Sequence, residues 1–440
     1  MADKQKRENL CRNIRLRILI HILAWMMIFA GGCERRQEEG KSGTEAAAGG
    51  ADSSEGMAEG KGECGDYLSD KAEQGDSGSD EGEGEAGQDL KEAPEIEGLA
   101  CKSRVELEYA QGFQIYRYSK GCCVVDVKEG LSYLVVPDGT GIPDHLPDGM
   151  VVLQRPMDHI YVAGTATMAM FHALEGIDKV RFSALEADGW YVDEAKEAME
   201  KGRMKFAGKY DEPDYEMLVD AGCDLAVESQ MIYHTPKVME MLERMDIPVF
   251  IDCSSNEGHP LGRVEWIKVY GVLLGKEDEA AAFFKKQTEI LEELSDNADT
   301  GQSVVYFYIN SGGQAVVRTG TDYITKMIEI AGGRYPFESL KDESGSTVAI
   351  TMEEFYSVAS QADYLIYNAS IDNRLRSIGE LTARNEILKD LKAVKEGNVF
   401  CTDKDFYQAS DIAAEMIRDI HIMLTKGDED QMTFLYRVSE

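Results

Sequence analysis

The side chains in this 440-residue chain best suited to holding a small molecule stand in short polar loops that follow apolar runs. Thr165 and Thr167 open a helix after the run Ile160-Tyr161-Val162-Ala163. Free N–H groups at a helix start can meet an anionic group, although threonines there serve equally as ordinary N-caps. Trp190 and Tyr191 follow the turn Ala187-Asp188-Gly189, where a loop-borne aromatic pair suits a flat ring system; surface packing is the plainer alternative. Ser229, Gln230, Met231 and Tyr233 stand after one apolar run, and Ser254 after another. Further on come Tyr308, Asn310, Arg318, Asn368 and Tyr407. Arg318 is the cation expected to grip a carboxylate through its planar fork, unless a neighbouring acid takes it first. His234, Glu257 and His259 could supply part of a metal site, but a Zn²⁺ or Mn²⁺ ion needs three or four converging ligands, and a lone histidine is more often structural. No Gly-x-Ser-x-Gly elbow, His-Glu-x-x-His pair or phosphate loop is present, so an enzyme is not expected.

Such loops need a scaffold of alternating strands and helices. From His159 to Ile251 four apolar runs alternate with helical patterns, and a second series runs from Val304 to a final helix over about 410–424. Strand–helix alternation implies parallel βα units, and ligands collect beyond the carboxyl ends of such strands. Between the series, residues 263–297 carry apolar positions at helical spacing, reading as one long helix or a pair broken near Gly275. The two series echo each other, strand HIYVAG leading to a helix as VVYFYI leads through Gly320-Thr321-Asp322 to another, which suggests a structural pseudo-repeat. Ahead of them, residues 101–152 add an accessory hairpin or small sheet.

The net charge of −35 excludes nucleic acid as a partner, because no cationic footprint exists to displace counterions. The N-terminus reads differently from the rest. A basic stretch, an apolar run of about 13 residues, too short to span a bilayer, and Ala30-Gly31-Gly32-Cys33 compose a secretory signal whose end resembles a lipobox. Cys33 would then carry a lipid and hold the protein outside the cytoplasm, as in a Gram-positive-type lipoprotein; the alternative is a plain anchor helix with an incidental cysteine. Residues 33–100 read as a disordered acidic linker, with too few apolar residues to offset ordering entropy. The nine cysteines form no Cys-x-x-Cys pair, and seven remain once Cys11 and Cys33 are set aside, so buried free thiols are expected.

Over Arg155 to about Lys426 the ordered segments RPMDHIYVAGTAT, YEMLVDAGCDLAVES, LERMDIPVFI, VYGVLLGKEDEA, MIEIAGGRYPF, FYSVASQADYLIY and LKAVKEGNVFCTD resemble the class III solute-binding proteins of ABC importers. That resemblance implies two Rossmann-like lobes joined by a long helix, here with an extra N-terminal β-rich segment. The implied domains are a signal peptide at 1–32, the linker at 33–100, the β-rich segment at 101–152, lobes at 153–262 and 298–440, and the connecting helix at 263–297. It also implies an iron–siderophore, haem or cobalamin-type ligand in the cleft rather than a resident cofactor, with ABC permease and ATPase subunits as partners of a monomer. Family members dock through one acid on each lobe; Asp322 is near where the C-lobe acid falls, whereas Pro236-Lys237 stand where the N-lobe glutamate often falls, and Glu240 or Glu243 could substitute. A receptor for bare Zn²⁺ or Mn²⁺, or a surface interaction or sensor module without transport, are the competing readings.

Overall fold

The computed structural model describes residues 92–128, 130–295, 299–340, 346–370 and 374–439. The signal peptide, Cys33, Cys64 and most of the acidic linker lie outside the described residues. Five strands come first: β1 (Cys101–Arg104), β2 (Phe113–Tyr118), β3 (Cys123–Val127), β4 (Leu131–Val136) and β5 (Met150–Gln154). They pair in chain order, antiparallel except for the parallel β4–β5 pair. The accessory segment is thus a full sheet, apolar on both faces. Strand alternation sends Phe113, Ile115, Cys123 and Val125 into the main core, and Tyr116, Tyr118, Cys122 and Val124 into a second cluster. Cys122 and Cys123 are consequently buried free thiols on opposite faces.

Residues 92–100 depart from the linker expected there. Ile96 is buried in the second cluster, the Tyr118 hydroxyl donates to the Pro94 carbonyl (2.5 Å), and the Ala100 N–H donates to Ser119 Oγ. An averaged composition hides one isoleucine that finds an apolar face to cover.

The first lobe runs β6 (Ile160–Val162), α1 (Met168–Ala173), β7 (Val180–Ser183), α2 (Asp193–Glu200), β8 (Lys205–Phe206), a small hairpin of β9 (Gly208–Lys209) and β10 (Glu212–Pro213), α3 (Tyr215–Asp220), β11 (Leu225–Ser229), α4 (Pro236–Arg244) and β12 (Val249–Asp252). Its sheet, in order β12-β11-β6-β7-β8, is wholly parallel. Its central strands are buried and carry short apolar runs, Ile160-Tyr161-Val162 in β6 and Leu225-Ala226-Val227 in β11.

The following helical stretch is not one long helix. It comprises α5 (Pro260–Glu265), α6 (Ile267–Leu274) and α7 (Glu277–Ser295). Trp266 keeps helical angles between α5 and α6, whereas Gly275, at φ 70°, closes α6 in the left-handed conformation that glycine adopts without steric cost.

The second lobe runs β13 (Val304–Ile309), β14 (Ala315–Arg318), α8 (Tyr323–Ile330), β15 (Thr347–Ile350), α9 (Met352–Ala359), β16 (Tyr364–Tyr367), α10 (Ile378–Arg384), α11 (Lys392–Lys395), β17 (Val399–Thr402), α12 (Ala413–Thr425) and β18 (Leu435–Arg437). Its order is β15-β14-β13-β16-β17-β18. β13, β16 and β17 are parallel like β6, β11 and β12, but β14, β15 and β18 pair antiparallel. The pseudo-repeat therefore holds for half of each sheet. On the other half, β13 turns back through a hairpin before the chain reaches α8. Helix α6 packs near α1 of the first lobe and α7 against α12 of the second, so the helical stretch touches both.

Candidate functional site

The loops beyond the parallel strands of the two lobes meet. In the first lobe Thr167 is buried, its Oγ1 donating to the Gly164 carbonyl (2.6 Å), while Thr165 is half-buried in the same turn. Trp190 is not a rim residue. It is 3% exposed, and its indole N–H donates to Ser183 Oγ at 3.0 Å, which satisfies the polar end and lets the ring join the core. Tyr191, next in the chain, is 43% exposed, as is Tyr233 at 44%. Ser229 caps the turn after β11, accepting from the Met231 N–H (3.4 Å), and Gln230 Oε1 accepts from Ser255 Oγ (3.5 Å). Ser254 donates to Asp252 Oδ1 (2.5 Å), a buried carboxyl whose pKa burial pushes up.

In the second lobe several expected binders are structural. Arg318 ends β14 at 6% exposure, 3.6 Å from Asp322 and over the ring of Tyr306. Asp322 is buried as well and caps α8 by accepting from the Ile324 N–H (2.8 Å), which takes it away from any docking face. The acid beside Arg318 has claimed the fork expected for a ligand. Asn310 holds the β13–β14 hairpin by accepting from the Gly312 and Gln314 N–H groups, both at 3.0 Å. Asn368 is buried, its Oδ1 accepting from the Ser370 N–H (3.0 Å). Tyr308 remains half-buried at the end of β13. Glu240, on α4, is exposed beside Arg244.

One cluster joins the lobes. The turn Lys404–Gln408 after β17 reaches the loop after β7: Gln408 Oε1 accepts from the Tyr191 N–H (2.9 Å), and its Nε2 donates to the Gly189 carbonyl and the Tyr407 hydroxyl, both at 2.8 Å. The Tyr407 ring meets Tyr191 edge-on at 5.9 Å, and Ser410 Oγ donates to the Ala166 carbonyl (2.7 Å). Thus Tyr191 and Tyr407 are brought together, and Gln408 and Ser410, which no motif singles out, complete the clasp. Asp411 follows directly, buried near His172 of the first lobe and Glu415, and burial raises its pKa to about 7.

The half-site for a metal is spent elsewhere. Glu257 accepts from the Gln111 and Gly112 N–H groups (3.0 and 2.8 Å) and from Trp266 Nε1 (3.1 Å). Eight residues on, Glu265 accepts from the N–H groups of Glu108, Tyr109 and Ala110 (2.9, 2.8 and 2.7 Å) and from Lys268 Nζ (2.6 Å). His259 caps α5 through Nδ1, accepting from the Leu261 N–H (3.2 Å), and stacks on Tyr109 at 4.6 Å. His234 is exposed. Among the described residues no three His, Cys, Asp or Glu side chains converge as a metal site. The first lobe also buries Glu228, both of whose carboxylate oxygens lack a hydrogen-bond partner, and burial holds its pKa well above the ordinary value.

A family model described as periplasmic binding protein matches residues 163–406. An uncharacterized lipoprotein of Methanocaldococcus jannaschii is 23% identical over 366 residues, covering 76% of this chain and 86% of its own length. Residues 163–440 make up under two thirds of the chain, so that match reaches upstream into the accessory sheet. An uncharacterized protein of the same organism is 24% identical over 247 residues, covering 54% of this chain and 73% of its own. That source gives no support to a Gram-positive setting. Among solved structures, a periplasmic haem-binding protein of Vibrio cholerae superposes with a TM-score of 0.50 at 15% identity, over 61% of this chain and 97% of its own; at that identity the likeness is one of fold.

Proposed function

Because more than half of this chain fits their family model, the protein belongs to the periplasmic binding proteins, and from that premise we propose that it is a lipid-anchored receptor delivering a metal chelate or tetrapyrrole to an ABC importer. The family is one of extracytoplasmic binding proteins, not of enzymes. The observation that carries the finer reading is the clasp: two loops beyond parallel strands, one from each lobe, which bring Tyr191 and Tyr407 together, while Tyr233 is exposed on the turn after β11. Aromatic faces on a polar frame suit an iron–siderophore, haem or corrinoid, whose surfaces are broad and partly apolar.

Ser229, Gln230, Met231, Ser254, Thr165 and Tyr308 form the remaining rim in this reading, and Glu240 is the acid left on the surface for a permease. Cys33 carries the lipid, as suits the name of the lipoprotein relative, and the acidic stretch after it is the tether. The domain bounds are those read from the sequence, except that the folded part starts by residue 92. The test is a thermal-shift and absorbance screen of the purified protein against ferric hydroxamates, ferric catecholates, haem and cobalamins. Stabilisation by one class supports the proposal; a flat response to all of them removes it.

A further inference from the structure

We infer that the cleft takes a chelate of zero or positive net charge and rejects anionic ones; this rests on reading the cleft as a chelate site. The grip expected for an anion is already closed, since Arg318 is buried against Asp322 and Tyr306. Arg374 is paired with an acid as well, and Arg263 is held by carbonyls and a ring. Arg374 lies 3.0 Å from Asp403 and stacks over Tyr436 at 4.0 Å, and Arg263 donates to the Ser255 and Glu257 carbonyls while lying 3.6 Å from the Tyr323 ring centroid. Lys404, in the clasp turn itself, stands between Asp403 and Asp405 in the chain.

Asp405 adds a positive reason. It lies two residues before Tyr407, and its Oδ1 is buried without a hydrogen-bond partner. Burial, then the neighbouring charge of Asp403, push its pKa up, against hydrogen bonds from its own and the Phe406 N–H and the nearby charge of Arg374. A buried acceptor in that state is stabilised by a donor, above all a cationic one. The exposed Tyr191 ring, which meets Tyr407 edge-on, can add a cation–π contact. The field of a chain carrying −35 acts in the same sense, drawing cations toward the cleft and slowing the approach of anions.

Fluorescence titration of the full-length protein tests this with four probes. They are a ferric trihydroxamate bearing a free ammonium group, neutral cyanocobalamin, a ferric tricatecholate trianion, and haem with ionised propionates. The expected result is that the ammonium-bearing complex or cyanocobalamin binds at least about tenfold more tightly than either anion. If the ammonium-bearing complex is the ligand, its affinity falls several-fold between about 0.02 and 0.5 M salt. Asp405→Asn should then weaken that binding about fivefold while cyanocobalamin is unaffected. The salt dependence is read on the unaltered protein and so survives a variant that does not fold. Equal or tighter binding of the tricatecholate or haem overturns the inference and leaves the receptor function standing. Binding of none of the four overturns both.

Discussion

The seam between the accessory sheet and α5 and the clasp between the lobes are both polar, yet they are built to opposite ends. At the seam two buried carboxylates, Glu257 and Glu265, receive five successive backbone N–H groups, 108 to 112, with Trp266 and Lys268 completing the set. Charge-assisted bonds to a fixed backbone make a permanent joint. Gly112 belongs to it, since a Cβ there would stand 2.9 Å from Glu257 Oε1. The clasp relies on one neutral amide, one hydroxyl and a ring edge. Each bond there contributes only about 1 kcal/mol net, and water can replace it, so these loops can part more readily than the seam.

Breaking the seam should have the largest effect. Glu265→Ala removes the acceptor of three N–H groups, that of Ala110 buried, and of Lys268, and a loss on the order of 3–5 kcal/mol is expected in urea unfolding. A midpoint unmoved from that of the parent protein would contradict the account of the joint. Next comes Asp411, beside the clasp. Its pKa of about 7 lies above the unfolded value, so the folded state holds the proton more tightly. Stability should therefore fall by on the order of 2–4 kcal/mol as pH rises from about 4 through 7, and Asp411→Asn should flatten that slope in melts across the range.

Glu228 sharpens the comparison, being a buried glutamate without the donors that Glu257 and Glu265 enjoy. Its pKa is raised, so its penalty grows above the unfolded carboxyl range. Glu228→Met should raise stability by about 1–3 kcal/mol at pH 8 and by less at pH 5, the opposite sign to Glu265→Ala. Smallest is Gln408→Ala, expected to cost about 1 kcal/mol and to speed hydrogen exchange at the Tyr191 amide. Unchanged exchange there would mean that the clasp does not hold the loops together.

The strands that sequence exposes best are those buried on both faces: β6, β13 and β16 are unbroken apolar runs and β11 opens on one, Leu225-Ala226-Val227, and so their order and their loops were legible. The antiparallel strands β14, β15 and β18 were not: β14 is a short return strand behind the polar, glycine-bearing turn at 310–314, and β15 and β18 are held by partners about 30 or more residues away in the chain. Missing β14 is what made Arg318 look like a loop cation. Trp190 misled for a related reason: its neighbours mark a turn, but only the fold shows Ser183 beneath the indole. The loop Phe406-Tyr407-Gln408 reads from sequence as part of the rim, but the role of Gln408 as a clasp is hidden, since its partners Gly189 and Tyr191 lie more than 200 residues away. The carboxylate seam is equally hidden, spanning about 150 residues without any motif at either end.

The packing of residues 92–100 over the outer face of the accessory sheet has a mechanical consequence. A pull along the upstream chain enters the molecule at this strap, through Ile96, the Pro94 carbonyl and the edge strand β1. Load then passes into a five-stranded sheet before it reaches the carboxylate joint and the lobes beyond. If the chain is lipid-anchored as proposed, drag on that end would meet the accessory sheet before it reached the lobes.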